Sequence, residues 1–407
     1  MKRILFINRF FYPDHSATSQ MLGDVCFFLA TQEFKIHVAT SRQLYEDAAA
    51  NLPSSEEIRG VQVHRIWSSR FGRRKLFLRA LDYLTFYFST ARFCLVWLAP
   101  GDVVVAKTDP PMICLVARLA AKIKGARLVN WVQDLYPDAA LALGMGPIAR
   151  MGRLLEVLRN FSLRGAQLNV VIGNLMAERL RTHGVAAKRI RVQPNWADGA
   201  EIVPLSTALN PLRSEWALEN KFVVGYSGNM GRVHEFATIL GAIEQLQDRA
   251  DICFLFIGGG AQRGWLEAQI KSGGYRNVLF KPYQPQEQLI NSLGLPDVHL
   301  VSLRPELEGI VVPSKFYGIA AAGRATIFVG DLQGEIPGIL GTAECGRTIE
   351  PGDIAGLVRT IVSLEADRGL TALLGANARN CFMARFDKQV ALSAWRDIAH
   401  SITAYSI

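Results

Sequence analysis

Short, almost wholly apolar runs rich in Val, Ile and Leu recur along the chain, separated by longer stretches with helical spacing of apolar positions. The short runs predict strands at 3–8, 36–40, 61–66, 102–106, 128–132, 168–172 and 190–193. A second series is predicted at 222–226, 253–257, 278–280, 298–303 and 326–329. Continuous apolar runs suit strands covered on both faces, as in a parallel sheet, and their alternation with helices predicts βαβ units. The series breaks between Pro194 and Lys221, where Pro194, Asn195, Asp198, Gly199, Pro204, Asn210 and Pro211 crowd together and periodicity fades. That composition marks a linker. The run from Phe222 to Gly228 then restarts a sheet much as Ile4 to Asn8 begins the first. The fold class read from this pattern is α/β, with two doubly wound, Rossmann-like domains at 1–195 and 221–385. The linker is 196–220, and an amphipathic last helix within 386–407 could pack back on the first domain. A length of 407 residues fits two or three domains.

Open parallel sheets bind ligands beyond the carboxyl ends of their strands. Two such domains facing each other form a central cleft, so chemistry is expected in the loops that follow strands. The loop Ser227-Gly228-Asn229-Met230-Gly231-Arg232 follows the first strand of the second domain and precedes a predicted helix. Gly228 and Gly231 let backbone approach a ligand, the helix start offers N–H groups, and Arg232 can fork onto phosphate. A plain tight turn is the alternative. The loop Ile257-Gly258-Gly259-Gly260-Ala261-Gln262 is a second glycine-rich strand exit, where Gly259 could meet a base or sugar as readily as form a turn. The third loop runs from Arg304 to Lys315. Pro313 suits the first turn of a helix, which places Ser314 and Lys315 among that turn's N–H groups. A lysine there opposes the helix dipole, and a bound anion removes the conflict. Glu306 and Glu308 lie just ahead, placed to hold sugar or ribose hydroxyls or to remain a solvated acidic loop.

In the first domain, Asp134 directly follows an apolar strand and is a candidate acid/base or acceptor-orienting group, or else a helix cap. Asp138 closes the same loop. The loop after the first strand offers Tyr12, His15 and Ser16 as further cleft-lining residues on the acceptor side. It lacks a GxGxxG pattern, which counts against a dinucleotide site there.

Composition narrows the partners. The net charge of +9 favours anionic ones. A basic stretch holds Arg65, Arg70, Arg73, Arg74, Lys75 and Arg79 with Phe71, Leu76, Phe77 and Leu78 interleaved, which suits an anionic membrane surface at 65–79 or a solvated face. No base-reading motif accompanies it, so nucleic acid is not expected. The largely apolar segment between Asp82 and Asp102 carries Arg92 at its centre, which costs roughly 2.5–3.5 kcal/mol on insertion scales. A buried or interfacial helix is therefore expected rather than a span. Six scattered cysteines imply reduced thiols, and scattered histidines imply no metal site. Met1-Lys2-Arg3 leads into an apolar run too short for a signal peptide, so a cytoplasmic location is expected, peripheral at the inner face of the plasma membrane if the basic stretch docks there.

The chain resembles the family-4 glycosyltransferases, which have the GT-B fold and generally retain anomeric configuration. The likeness rests on Phe11-Tyr12-Pro13-Asp14, Thr108-Asp109-Pro110-Pro111, Trp131-Val132-Gln133-Asp134-Leu135-Tyr136-Pro137-Asp138 and Pro194-Asn195-Trp196-Ala197-Asp198. It continues through Tyr226-Ser227-Gly228-Asn229-Met230-Gly231, Pro282-Tyr283-Gln284-Pro285, Val312-Pro313-Ser314-Lys315-Phe316-Tyr317 and Ala320-Ala321-Ala322-Gly323. Within the family it looks most like transferases of O-antigen, capsule and exopolysaccharide synthesis, including those for L-fucosamine.

The resemblance implies a diphosphate-binding pair at Arg232 and Lys315, a base-contacting loop near Tyr283, and a catalytic or acceptor-side position at Asp134. It implies a nucleotide-sugar donor, UDP by preference, a lipid-linked or saccharide acceptor, and catalysis without metal or other cofactor. The family commonly carries two glutamates eight positions apart. The first falls on Glu308 or Glu306, whereas Gly318 stands where the second, a ribose ligand, belongs. Two rival readings share the architecture: a UDP-sugar 2-epimerase, and an inactive nucleotide-sugar-binding partner.

Overall fold

The computed structural model describes residues 2–72, 76–144 and 151–404. Arg73, Arg74 and Lys75 of the basic stretch lie outside the described residues. The chain divides into two compact units, Met1–Gln193 with Leu392–Ile407, and Pro194–Ala391.

Among the described residues the first unit holds eight strands: β1 (Lys2–Ile7), β2 (Phe34–Ser41), β3 (Ser55–Ile58), β4 (Val61–Ile66), β5 (Val103–Lys107), β6 (Arg127–Val132), β7 (Leu168–Val171) and β8 (Ile190–Val192). They form one sheet in the order β3-β4-β2-β1-β5-β6-β7-β8. Every pairing is parallel except β3 with β4. β1 and β5 are apolar and almost wholly buried, as strands covered on both faces must be. The last helix, Lys388–Ala404, adds Trp395 to this unit, its ring 4.3 Å from that of Trp131 and 6.4 Å from Phe6. Burial of a side chain that size contributes roughly 2–3 kcal/mol.

The second unit holds six strands among the described residues: β9 (Phe222–Ser227), β10 (Ile252–Ile257), β11 (Val278–Lys281), β12 (Val298–Ser302), β13 (Ala325–Val329) and β14 (Gly346–Ile349). All pairings are parallel, in the order β11-β10-β9-β12-β13-β14. Counted from its own first strand the order is 3-2-1-4-5-6, the doubly wound arrangement, and its direction of travel reverses between β9 and β12.

Two strands escape the sequence pattern. β3 is Ser-Glu-Glu-Ile, an exposed edge strand with nothing to bury, joined to β4 by the two-residue turn Arg59-Gly60 with φ of 48° and 79°. β14, Gly-Arg-Thr-Ile, is a short edge strand whose apolar signal is a single residue.

The segment 196–220 is not a bare linker. It belongs to the second unit and contains the helix Pro211–Glu215. Asn210 caps that helix, its side chain accepting from the Leu212 N–H at 3.1 Å, and Pro211 occupies the first turn. Asparagine and proline read as loop punctuation are here the start signal of a helix. Leu212, Trp216 and Leu218 then bury against Val223, Leu255 and Leu295. Arg213 pairs with Asp297 at 2.7 Å.

Candidate functional site

The reversal of strand order in the second unit brings together the loops leaving β9 and β12, two of the three loops singled out by sequence. The β9 loop is knit to the loop after β10. Gly228 N–H bonds the Ile257 carbonyl at 2.9 Å, Met230 N–H the Gly259 carbonyl at 2.6 Å, and Gln262 N–H the Met230 carbonyl at 2.9 Å. Gly228, Gly258 and Gly260 have φ of 118°, 127° and 135°, a region open to glycine. A Cβ on Gly258 would collide with the Gly228 carbonyl oxygen, and one on Gly260 with the Asn229 side chain and Met230 backbone. Gly259 differs: a Cβ there would meet only the Tyr283 ring, at 3.2 Å. Tyr283 is largely exposed and its hydroxyl donates to the Gly259 carbonyl at 3.4 Å.

Lys315 opens the helix Lys315–Ala321 after the β12 loop and turns its half-buried side chain back toward β9. Its ammonium donates to the Tyr226 hydroxyl, approaches the Asn229 carbonyl at 3.4 Å and His234 Nε2 at 3.3 Å, and lies 3.8 Å from the centre of the Tyr226 ring. Tyr226 in turn donates to the Asn229 carbonyl at 3.0 Å. Each of these contacts is neutral, and burial holds the ammonium well below the usual lysine range. His234 faces the Ser302 carbonyl through Nδ1 at 2.6 Å, and burial together with Lys315 pushes it down to about 3. The result is a lysine held by uncharged groups at the switch point of a doubly wound sheet, an arrangement that can accept an anion.

The neighbouring predicted residues are distributed differently. Arg232 is exposed in a turn, and the helix after this loop starts only at Ala237, so Gly228 to Gly231 do not sit on a helix N-terminus as the sequence implied. The five residues between are taken up by placing His234 and Phe236 in the interior. Ser314 is the exposed N-cap of the lysine's helix and makes no side-chain cap bond. Glu306 pairs on the surface with Arg304 at 2.5 Å. Glu308 accepts from the Glu335 N–H at 3.3 Å, and burial, with Asp331 and Glu335 adding, raises it to about 7. Gly318 lies in the helix, its absent Cβ position 3.2 Å from a Leu293 methyl.

In the first unit, Asp134 follows β6 with an accessible side chain. The protein around it and nearby Asp109 raise it to about 6, against the opposing pull of Lys107. Its backbone N–H and that of Gln133 approach the Thr108 hydroxyl at 3.5 and 3.1 Å. Lys107 ends β5 fully buried, donating to the Thr18 carbonyl at 2.8 Å with its ammonium 3.9 Å from the centre of the Trp131 ring, and burial pulls it down to about 7. Sequence reasoning missed Lys107, whose signal is a lysine closing an otherwise apolar strand. It also missed His234 and Tyr226, whose roles appear only once β9 and β12 are adjacent.

Three calls on this unit are corrected. Asp138 is buried and paired with Arg159, Arg179 (3.4 Å) and His183 (3.6 Å), which commits it to holding helices rather than an acceptor. The Ser16 hydroxyl and N–H both turn to Asp14. Arg65 is buried, pairs with Glu56 and donates to the Tyr12 carbonyl at 2.9 Å, so it cannot meet a membrane. Tyr12 and His15 stay exposed, Tyr12 with its ring edge-on to Phe27 at 5.7 Å.

Comparison with known proteins agrees with this architecture. The glycosyl transferase 4-like domain matches residues 24–196, and the glycosyl transferases group 1 domain matches 211–381. WcaI of Escherichia coli, named as a colanic acid biosynthesis glycosyl transferase, is 30% identical over 62% of this chain and 63% of its own. WbjE of Pseudomonas aeruginosa, named as a glycosyltransferase, is 28% identical over 64% of this chain and 65% of its own. The chain thus spans just under two thirds of the length of these relatives. Among solved structures, sucrose-phosphate synthase of Thermosynechococcus elongatus superposes with a TM-score of 0.80 at 16% identity, over all of both chains. HepE of Anabaena, solved with UDP and glucose, gives 0.73 at 16% identity, also over all of both chains. With both halves matched in order and both sheets doubly wound, the chain belongs to the family-4 glycosyltransferases of the GT-B fold.

Proposed function

We propose that this protein transfers a sugar, with retention of configuration, from a UDP-sugar to a lipid-linked or saccharide acceptor in the synthesis of bacterial surface polysaccharide. The observation that carries the reading is Lys315, a half-buried ammonium held only by neutral groups at the β9/β12 switch point. The name of WcaI, a colanic acid biosynthesis glycosyl transferase, supports the pathway, and the UDP bound by HepE supports the choice of base.

In the proposed reaction the anomeric C–O bond loosens toward an oxocarbenium ion and negative charge builds on the departing diphosphate. Lys315 meets that charge from a site already organised around it, and Arg232, exposed on the surface, adds a second cation. Tyr283 over Gly259 offers a face for the uracil ring. The acceptor hydroxyl forms the new bond from the side the diphosphate leaves, and its proton passes to the diphosphate oxygen. Asp134, as a carboxylate, orients the acceptor by accepting from another of its hydroxyls, which leaves the attacking hydroxyl's proton free to pass to the diphosphate.

The test is Lys315→Ala in a transfer assay with labelled UDP-sugars. Loss of one preorganised charge of this kind lowers kcat roughly 10²–10³-fold. Turnover near that of the wild type would overturn the assignment.

A further inference from the structure

The first unit carries an apolar surface that the transfer reaction does not use. Three helices lie side by side on one face of its sheet: Leu76–Trp97, Ile113–Lys124 and Gly152–Gly165. The first two bury Phe86, Cys94, Ile113 and Ala117 in a shared core with β1, β5 and β6. The third is tied to the second, Ser162 donating to the Cys114 carbonyl at 2.9 Å and Arg118 lying 5.6 Å from the Phe161 ring centre. Opposite each buried face a second apolar stripe points to solvent. Leu84, Phe88, Ile123, Leu154, Val157 and Phe161 are exposed, Phe88 by 73% and Ile123 by 70%. Side chains of that size rarely gather unburied on a soluble surface without a partner.

Charge identifies the partner. Arg92, Lys122, Arg153 and Arg164 are exposed on the same helices. Only two carboxylates occur on the three, and one of them, Asp82, is buried. A second copy of this chain would bring the same cations against each other. A surface of anionic phosphate backed by hydrocarbon satisfies both features at once. Among the described residues no helix is long and apolar enough to cross a membrane, so the surface would be lain upon rather than spanned.

We propose that this three-helix face docks on an anionic lipid bilayer, its apolar side chains entering the boundary between headgroups and acyl chains while its arginines and lysines meet lipid phosphate. These side chains lie beyond the basic stretch at 65–79, of which Arg65 is buried. The inference rests on no step of sugar transfer.

The experiment is flotation of the full chain with vesicles of equal parts phosphatidylglycerol and phosphatidylcholine, and with vesicles of phosphatidylcholine alone. Binding to the anionic vesicles is expected to weaken with salt. Phe88→Asp and Val157→Asp, on separate helices, should each lower the partition coefficient at least about tenfold while leaving the melting temperature and UDP binding unchanged. Absent wild-type binding, equal binding to neutral vesicles, or undiminished binding by both folded variants would overturn the proposal. So would a lipid-free dimer in sedimentation velocity that Phe88→Asp dissolves, which would assign the face to a second copy.

Discussion

Lys315 Nζ lies 3.3 Å from Nε2 of His234, and the histidine's other nitrogen lies 2.6 Å from the Ser302 carbonyl. A carbonyl only accepts, so Nδ1 carries the proton and Nε2 presents a lone pair to the ammonium. With the imidazole pushed down to about 3, this neutral tautomer persists at any ordinary pH. Lys315 is therefore positioned by groups that do not neutralise it, which leaves its charge for a ligand.

That arrangement predicts proton uptake on nucleotide binding. In the free protein, burial depresses the lysine well below its usual range. A bound diphosphate favours the charged form and restores its pKa. Between the free and bound values the empty site is neutral and the occupied one protonated, so binding takes up a proton, and affinity falls as pH rises through that window. Calorimetry of UDP binding in buffers of different ionisation enthalpy should report up to about one proton bound at a pH inside it. Lys315→Met should abolish the uptake and His234→Asn should keep it. Uptake that survives Lys315→Met would place the proton on another group.

The glycines beside this site separate fold from contact. At Gly258 an alanine would need a φ of 127° and would drive its Cβ into the Gly228 carbonyl. Gly258→Ala should therefore destabilise the fold by about 2 kcal/mol or more, read by denaturant unfolding. Gly259→Ala meets only the Tyr283 ring. It should leave the unfolding midpoint almost unchanged but weaken UDP binding several-fold by pushing Tyr283 away. Equal effects of the two on stability would remove the distinction.

The backbone of this site was legible in the sequence, and its side-chain chemistry was legible in part. Apolar runs place β9, β10 and β12, and glycines mark the first two exits, because a strand buried on both faces leaves a pattern in its own residues. Lys315 was legible as a cation in the first turn of a helix, where local energetics disfavour it. Tyr226 and His234 were not, because their roles arise from adjacency of β9 with β12, and an isolated histidine in a polar loop carries no spacing signal. Asp138 shows the converse error. It shares a motif with Asp134 four residues away, yet the turn through Tyr136 and Pro137 carries it into the interior, onto Arg159, at the start of the helix Asp138–Ala142. Asn210 and Pro211 were legible as breakers but belong to a capped helix, since the same residues serve both purposes.

Under the proposed mechanism, Asp134 would join stability to activity through one titration. Its pKa is raised to about 6, above the roughly 3.9 of an unfolded aspartate. A raised carboxyl favours the protonated form in the folded state, so its contribution to stability is full below about pH 4 and is lost as pH rises through about 6. The proposed orientation of the acceptor needs the carboxylate, the form the fold disfavours. kcat/KM should accordingly rise with pH through a limb near 6, and Asp134→Asn should lower the plateau and remove the limb. The same variant cannot ionise, so its melting temperature should exceed that of the wild type near pH 7 and match it near pH 4. Glu308, raised to about 7, titrates nearby in pH, and Glu308→Gln separates the two: if that substitution, and not Asp134→Asn, removes the limb, the acceptor-orienting carboxylate is not Asp134.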